Sequence, residues 1–354
     1  MSRPRAYTGA MTSRERVLSA LAHQQPDRTP VDFWAEPATL NRLFAHVGHR
    51  DFERLCRDLE VDVWHLEMPA VPDTELRPGV WQNYWGERFI YRQTPWGPRR
   101  EDMAGALADA TSLADLEAFG WPTPAVLDYS GLAEQCRRFD DCALLYGFAD
   151  IWERPGLVRG WENWFVDHVE HPEWVHWLCR QFTNFYKEDY TRAAAATDGR
   201  LDLYLVLTDL GHQQGPLISR GMFREFVAPY VREICDCIHG LGGKALYHSC
   251  GSMAGFIPDL IELGVDVLDP LQPVSPDLQP EALKAAYGDR LSFHGGLDMQ
   301  RLLPFGTVEE VRAEVARYCR VLGEGGGYIL APAHLFQPEV PPETILAFHD
   351  VELR

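Results

Sequence analysis

Residues 246–273 read LYHSCGSMAGFIPDLIELGVDVLDPLQP. One short apolar run lies near each end, and the apolar residues of the segment between them have helical spacing. We predict strands over 244–249 and 265–271, with a helix over 253–263 between them. Apolar strands that alternate with amphipathic helices are typical of a parallel sheet covered by helices. This β/α unit is the pattern on which the fold prediction depends.

The same unit recurs along the chain. Further strands are predicted over 31–34, 61–68, 142–149, 201–207, 291–296 and 327–333. Helical patterns are predicted over 152–168, 172–197, 219–240, 280–287, 307–323 and 342–350, and a capping box, Thr12 to Glu15, opens the first helix. Eight β/α units in 354 residues predict one domain, 1–354, that folds as a (β/α)8 TIM barrel.

An open doubly wound sheet is the alternative fold. It is disfavoured because no Gly-rich phosphate loop follows an early strand. After the second predicted strand, residues 70–140 do not continue the alternation of strands and helices. Aromatic and polar residues alternate there around Gly86. We interpret this stretch as an insertion that contains a β-hairpin.

Composition narrows the classes of function. The formal net charge is −19, from 52 acidic and 33 basic residues, and no block of Lys and Arg stands out. Binding to nucleic acid or to an anionic membrane surface is therefore not expected. The first 20 residues contain no apolar signal region, and the eight cysteines have no disulfide-framework spacing. We expect a cytoplasmic protein with reduced thiols.

Polar and aromatic side chains follow nearly every predicted strand, at the end where barrels of this type place their active sites. Asp is also a common helix N-cap, so capping is the alternative role for each aspartate. These strand-end residues are Trp34, Glu36, His65, Glu67, Asp150, Asp209, His248, Cys250, Asp269, His294, Asp298 and His334.

The pair His248 and Cys250 has a spacing that can be interpreted geometrically. Residues two apart on a strand point to the same side, so both side chains can reach one metal ion. Imidazole and thiolate are normal zinc ligands, and three protein ligands with one open position are typical of a catalytic zinc. His334 is the preferred third ligand and His294 the alternative. A buried histidine beside an inert core cysteine is the competing interpretation.

Several blocks, in order, resemble the uroporphyrinogen decarboxylase superfamily, in particular the branch with the cobamide-dependent methyltransferases. The resemblance covers most of the chain outside 70–140. Its blocks include MTSRERVLSALAHQQPDRTPVDFW (11–34), ERPGLVRGWENWFVDHVEHPEWV (153–175), LTDLGHQQGPLISRGMFREFVAPYVREI (207–234), residues 246–273 quoted above, LSFHGGLDMQRLLPFGTVEEVRAEV (291–315) and GGYILAPAHLFQPEVPPETILA (326–347).

The resemblance implies a TIM barrel that binds zinc through His-x-Cys and a later Cys, and that activates a thiol accepting a methyl group from a corrinoid. By position, His248 and Cys250 match the first two ligands. The third falls in LAPAH, where this chain has His334 instead of Cys. Two imidazoles and one thiolate would leave zinc with a net charge of about +1, so a bound thiolate should be less nucleophilic.

The decarboxylases of the superfamily carry an Arg-Gln-Ala-Gly-Arg motif after the first strand. Here that place reads VDFWAEPATL, residues 31–40, without an Arg. The resemblance also aligns TDLGHQQG, residues 208–215, with a block that often has two adjacent acids, of which this chain keeps Asp209. We predict Asp209 and His294 as catalytic residues. The predicted substrate-binding residues are Trp34, Glu36, His212, Gln213 and Asp298.

Three functions are consistent with these residues. The first is a zinc-dependent methyltransferase acting between a corrinoid carrier protein and a small methyl donor or thiol acceptor. Because the chain lacks an Asp-x-His-x-x-Gly corrinoid signature, its cobalamin must be carried on a separate protein. The second is a metal-free lyase that decarboxylates a small substrate, and the third is a non-catalytic ligand-binding barrel. A homodimer is expected from the resemblance.

Overall fold

The computed structural model describes residues 11–273 and 278–350 and shows an α/β fold. Its strands are Val63–His65 (β1), Thr74–Arg77 (β2), Val80–Gln82 (β3), Arg88–Thr94 (β4), Gly97–Asp102 (β5), Ala143–Asp150 (β6), Leu203–Leu207 (β7), Gly211–His212 (β8), Gly215–Pro216 (β9), Lys244–His248 (β10), Val267–Leu271 (β11), Ser292–Leu297 (β12) and Tyr328–Pro332 (β13).

The α-helices are Ser13–Leu21 (α1), Pro37–Val47 (α2), Phe52–Asp58 (α3), Leu113–Glu117 (α4), Leu132–Arg138 (α5), Glu153–Arg159 (α6), Trp161–Glu170 (α7), Pro172–Ala196 (α8), Arg220–Met222 (α9), Ala228–Gly240 (α10), Ile257–Leu263 (α11), Pro280–Tyr287 (α12), Leu302–Phe305 (α13), Val308–Gly323 (α14) and Pro342–Phe348 (α15). A π-helical turn, Phe223–Val227, separates α9 from α10. Among the described residues, no helix is both long and apolar enough to cross a bilayer.

Seven of the eight predicted strands are confirmed, and they form one sheet in the order β1-β6-β7-β10-β11-β12-β13. The pairings that define the register are parallel, for example β10 with β7 and β12 with β13. Strands β7, β11, β12 and β13 are buried along their whole length, as expected for a sheet with helices on its faces.

The predicted strand over 31–34 is not a regular strand. Val31 and Ala35 make isolated parallel bridges to Leu330 and Phe336. Pro30 has no N–H, and the Val31 N–H donates to the Asp62 carboxylate at 2.9 Å instead of to a neighbouring backbone. A continuous ladder therefore does not form here, and an eight-stranded barrel stays a prediction.

Contacts divide the chain into two compact units, and the first consists of residues 1–65, 137–145 and 266–354. The predicted capping box at Thr12 opens α1 and is confirmed. Arg16, on α1, donates to Asp27 and to the buried Asp62, both at 2.6 Å. Arg28 donates to the same Asp62 at 2.6 Å. This buried ion network fixes α1 against the start of β1.

The second unit consists of residues 66–136 and 146–265. Strands β2 to β5 form an antiparallel sheet within the stretch interpreted as an insertion. Next to this sheet, the indole of Trp85 is 1% exposed and stacks on Phe182 of α8, with ring centroids 4.5 Å apart. Whether 70–140 are an insertion into a barrel stays an interpretation.

Two predicted helices of this unit are interrupted. The helix predicted over 152–168 is two helices, α6 and α7, which meet at Gly160 with φ +86°. The helix predicted over 219–240 contains the π-helical turn directly before α10, whose second residue is Pro229. In both cases the apolar spacing continues across the break, so periodicity alone could not reveal it.

Gly147, in β6, allows Tyr190 of α8 to pack directly on the strand. The Tyr190 hydroxyl accepts from the Ala149 N–H at 3.0 Å and donates to the Leu205 carbonyl. A Cβ at position 147 would lie 2.3 Å from a Tyr190 ring carbon, and φ is +91° there. Space and backbone conformation therefore both require glycine.

We expect Gly147→Ala to lower the free energy of unfolding by about 3 kcal/mol or more, because it adds a clash to left-handed backbone strain. Gly199→Ala is the matched control, since φ is +72° but no atom lies within 4 Å of the added Cβ. The control should lose only about 1 kcal/mol. Urea unfolding of both variants measures the difference, and equal losses would contradict the packing role of Gly147.

Candidate functional site

Strand β10 ends at His248, and Cys250 follows in the next turn. His248 is 6% exposed, and Cys250 is half-buried. The Nε2 atom of His248 lies 3.6 Å from the Sγ atom of Cys250. A tetrahedral zinc with its usual bond lengths to nitrogen and sulfur separates the two ligand atoms by about 3.6 Å. The pair therefore already has the spacing that a shared zinc requires.

Asp209 positions this pair from the neighbouring strand end. Its Oδ1 atom accepts from the Cys250 N–H at 2.7 Å and lies 3.8 Å from His248 Nε2. The φ of Asp209 is +41°, in the left-handed region that a residue other than glycine rarely occupies. Ser249 holds the same turn, because its Oγ accepts from the Leu210 N–H at 3.0 Å. The strained Asp209 backbone is thus held where its carboxylate reaches the pair.

Two glycines let the loops after β7 and β10 approach each other. A Cβ at Gly211 would lie 2.3 Å from the Cys250 carbonyl oxygen, and one at Gly251 would lie 2.4 Å from the His212 nitrogen. The Ser252 N–H donates to the His212 carbonyl at 3.0 Å. The turn that presents Cys250 is therefore fixed by backbone contacts and not by side chains alone.

The third predicted ligand joins this pair. One ligand atom each from His248, Cys250 and His334 lies within 4.8 Å of the other two. No other group of this kind occurs in the ranges 11–273 and 278–350, and the alternative ligand, His294, is not part of it. Two imidazoles and one thiol are a donor set that suits zinc and leaves a fourth position for another ligand.

His294, on β12, lies instead in a buried network of the first unit. Its Nδ1 donates to Asp269 at 2.5 Å and its Nε2 donates to Asp32 at 3.1 Å. Asp32 also accepts from the Nε2 of His65, at 2.9 and 2.8 Å to its two oxygens. Asp32, Asp269 and His294 are each less than 5% exposed. Two acids and two imidazoles thus form one continuous chain of hydrogen bonds.

The opposite charges in this network stabilise one another. Burial opposes a charge on His294, but the carboxylates of Asp269 and Asp32 outweigh it and raise the pKa of His294 to about 9. Burial also opposes the charge on Asp32, but His65 and His294 hold the pKa of that carboxyl well below its usual value. At neutral pH, His294 is an imidazolium and Asp32 a carboxylate.

The remaining predicted residues are placed as follows. The Trp34 ring lies 4.7 Å from that of His65. Glu36 immediately precedes α2 and is half-buried. Asp298 accepts from the N–H groups of Gln300 and Arg301, at 2.7 and 3.1 Å, which is the alternative capping role. His212 and Gln213 lie on the exposed β8–β9 hairpin.

Sequence reasoning missed two acidic groups. Asp32 was missed because it lies inside a predicted strand and not at its end. It is two residues before Trp34, so its side chain is expected on the same face of the strand as that of Trp34, and this relation could have indicated Asp32. Glu153, the first residue of α6, donates its N–H to the Asp150 carboxylate at 2.9 Å. Burial raises the pKa of both Asp150 and Glu153, and the charge of Asp209 raises that of Glu153 further. This acidic pair therefore retains protons at higher pH than ordinary carboxyls.

Comparison with known proteins gives a consistent result. The chain is 24% identical over 363 aligned residues to the uroporphyrinogen decarboxylase of Pseudomonas paraeruginosa (strain DSM 24068 / PA7), with 95% of each chain covered. Identity to that of Pseudomonas aeruginosa (strain LESB58) is 23%, with the same coverage.

A methyltransferase from Methanosarcina mazei has a similar fold, with a TM-score of 0.69 at 16% identity, over 96% of this chain and 97% of that one. The profile of the family named uroporphyrinogen decarboxylase (URO-D) matches residues 156–352, more than half of the sequence. The chain therefore belongs to the uroporphyrinogen decarboxylase family.

Proposed function

We propose that this protein is a zinc-dependent methyltransferase that moves a methyl group between a corrinoid carrier protein and a small-molecule substrate or thiol acceptor. The observation that carries the proposal is the grouping of the His248, Cys250 and His334 ligand atoms within 4.8 Å. Three protein ligands with one open position are the arrangement of catalytic zinc sites, whereas structural sites have four protein ligands.

His248, Cys250 and His334 would hold the zinc. When bound, the metal supplies the positive charge that keeps a coordinated acceptor thiol deprotonated at neutral pH. Asp209 is a positioning residue here, because its carboxylate accepts from the Cys250 N–H at 2.7 Å and so fixes the direction of that side chain. Its negative charge beside His248 also favours a cation at this place.

The second part of the proposal gives His294 an electrostatic and proton-holding role. Its ring is 4% exposed and bonded on both nitrogens, so it cannot move far to meet a substrate. It would act through Asp32, by keeping that carboxylate ionised beside His65. The proposed substrate contacts remain Trp34, Glu36, His212 and Gln213. Asp298 is also proposed as a substrate contact, although its carboxylate already accepts from the Gln300 N–H in a turn.

The curated relatives favour a second candidate, a lyase, because they are named as decarboxylases. Against porphyrinogen decarboxylation stands the segment VDFWAEPATL, residues 31–40, which has no Arg and contains the half-buried Glu36. A polycarboxylate would be repelled there. We further propose a separate corrinoid protein as partner, a homodimer, and a cytoplasmic location.

The purified protein should contain about one zinc per chain. We expect His248→Ala and Cys250→Ser each to lose most of it, because two remaining ligands bind zinc weakly. Cys237→Ser is the matched control, since Cys237 is half-buried but belongs to no ligand group in the described residues. Elemental analysis measures the stoichiometry, and Co²⁺ substitution reports thiolate ligation through its charge-transfer absorption. Unchanged zinc in both site variants would rule out this site.

Replacing the third ligand should separate metal binding from reactivity. We expect His334→Cys to keep zinc and to raise the rate of methyl transfer from methylcobalamin to a thiol, because a second thiolate lowers the net charge of the site. His334→Ala, which removes the ligand, should lose zinc and activity together. Metal content and the visible spectrum of the cobalamin provide the two readouts. A His334→Cys variant that binds zinc normally yet transfers methyl more slowly would contradict the charge argument.

The raised pKa of His294, about 9, makes the stability of the fold depend on pH. Stability from the imidazolium is complete below the unfolded-state pKa of about 6.5 and is lost as pH rises through the folded-state value. We expect wild type to lose about 3 kcal/mol of unfolding free energy between pH 6 and pH 10 that His294→Gln does not lose. Urea unfolding at both pH values measures this, and parallel profiles would refute the ion network.

A further inference from the structure

Arg154 is a largely buried arginine at the start of α6, in the second unit. Its side chain is 19% exposed, and its Nε atom lies 3.3 Å from the Oε1 atom of the buried Glu87. Within residues 11–273 and 278–350, no protein atom accepts a hydrogen bond from its two terminal nitrogens, and neither of these nitrogens is fully buried. The outer edge of the guanidinium, with its remaining N–H donors, is therefore accessible to a ligand.

The charge of Glu87 does not depend on Arg154 alone. The Oε2 atom of Glu87 accepts from Arg100 and from Asn83, both at 2.6 Å. Arg100 also pairs with Asp102, at 2.7 Å, but that carboxylate is 41% exposed and keeps much of its hydration. The buried Glu87 carboxylate therefore stays paired when the Arg154 guanidinium binds a ligand.

The side chains around the Arg154 guanidinium include further hydroxyl groups. The guanidinium interacts electrostatically with Tyr186, Asp150 and Tyr84. Tyr186 is 3% exposed, and its hydroxyl is buried without a hydrogen-bond partner among the described residues. A buried hydroxyl normally has a partner, because an unpaired one costs free energy. An anion next to the guanidinium would lie in surroundings that contain hydrogen-bond donors.

The neighbouring acids do not oppose an anion below neutral pH. Burial raises the pKa of Asp150 to about 7, and burial together with the charges of Asp150 and Asp209 raises that of Glu153 to about 8. At pH 6 both carboxyls are mainly protonated, so they carry little charge and can donate hydrogen bonds. Of the other acids that interact with Glu153, Glu87 is paired as described above, and Asp209 accepts from the Cys250 N–H at 2.7 Å.

The strand ends place the start of α6 at the same edge of the sheet as the candidate metal ligands. The Ile151 N–H, directly after β6, donates to the Leu207 carbonyl of β7 at 3.3 Å. The Thr208 N–H, directly after β7, donates to the His248 carbonyl of β10 at 3.1 Å. The three strands therefore end at one level, and a ligand on Arg154 lies at the edge where His248 ends β10.

We propose that Arg154 binds the carboxylate of a small monocarboxylate, beside the buried Tyr186 hydroxyl. The planar guanidinium can donate two parallel hydrogen bonds to the two carboxylate oxygens, a geometry that an ammonium does not offer. One guanidinium binds one carboxylate and not the several of a polycarboxylate. As a statement about the substrate class of methyl transfer, this rests on the proposed function. As a statement about binding, it involves no metal ligand.

Binding is tested by comparing propionate with propionamide, which has nearly the same shape and no charge. Each ligand is titrated at pH 6 into the full-length protein, and saturation transfer from the protein to the ligand methyl group is followed by NMR. Propionate should bind saturably, and propionamide at least about tenfold more weakly, because it forms no charge-assisted pair with Arg154. Equal binding of the two ligands, or no saturable binding of propionate, would overturn the proposal.

Arg154→Gln should weaken propionate binding at least about tenfold and leave propionamide binding unchanged. The variant is expected to fold, since Glu87 retains Arg100, and thermal unfolding checks this. Arg92→Gln is the matched control, because Arg92 is 65% exposed on β4 of the same unit and pairs with Glu101. The control should bind propionate as wild type does. Equal propionate affinity of wild type and folded Arg154→Gln would contradict the assignment.

A carboxylate bound to zinc is the alternative that the same titrations exclude. Propionate on the metal would persist in Arg154→Gln and disappear after the metal is removed with 1,10-phenanthroline, and this result would overturn the proposal. Under the proposal, removal of the metal leaves propionate binding unchanged. The test therefore gives its answer whether or not the protein contains zinc, so failure of the proposed function and failure of this inference are distinguishable.

Discussion

The carboxylate of Asp32 is buried and ionised, and this buried charge constrains the structure of the first unit. An isolated buried carboxylate would take up a proton, because losing hydration costs several kcal/mol. Here His294 neutralises Asp32 and is in turn held by Asp269. Removing any one member leaves another charge uncompensated. The network therefore requires β11, β12 and the segment around Asp32 to keep one relative position.

An aspartate also holds the candidate metal ligands His248 and Cys250 in the second unit. Asp209 accepts from the Cys250 backbone and lies beside His248, and it does so from a left-handed backbone conformation. Such strain persists only where surrounding contacts over-determine it, as the close approach of Gly211 and Gly251 does here. In the first unit Asp32 accepts hydrogen bonds from two imidazoles, and in the second Asp209 accepts from the Cys250 N–H and lies 3.8 Å from His248 Nε2. The difference is exposure, since the Asp209 side chain is 29% exposed and that of Asp32 is 2% exposed.

Local rules predicted much of this arrangement from sequence. Alternation along a strand predicted that His248 and Cys250 lie together, which they do although β10 ends at His248, and continuous apolar runs located seven strands. The predictions that failed concern features that depend on contacts between residues distant in sequence. Asp32 and His294 are 262 residues apart, so no window could reveal their pairing. The predicted strand 31–34 is not a regular strand, because the Val31 N–H donates to the Asp62 carboxylate. The helices α6 and α7 separate at Gly160, which the apolar periodicity of the sequence does not indicate. His294, predicted as a catalytic residue and as the alternative metal ligand, lies between Asp32 and Asp269 and outside the group of possible metal ligands, and its catalytic role stays a prediction.

Family membership fixes a fold more firmly than a reaction, because one scaffold supports different chemistries through the residues at its strand ends. Identity of 23–24% to decarboxylases therefore leaves the chemistry to be argued from side chains. A decarboxylase of polycarboxylates needs cations where substrate charge accumulates, whereas residues 31–40 of this chain contain no Arg and place an acid at Glu36. A thiolate and two imidazoles, by contrast, form a soft, metal-binding set that decarboxylation does not require. The donor set is therefore the feature that favours methyl transfer over decarboxylation.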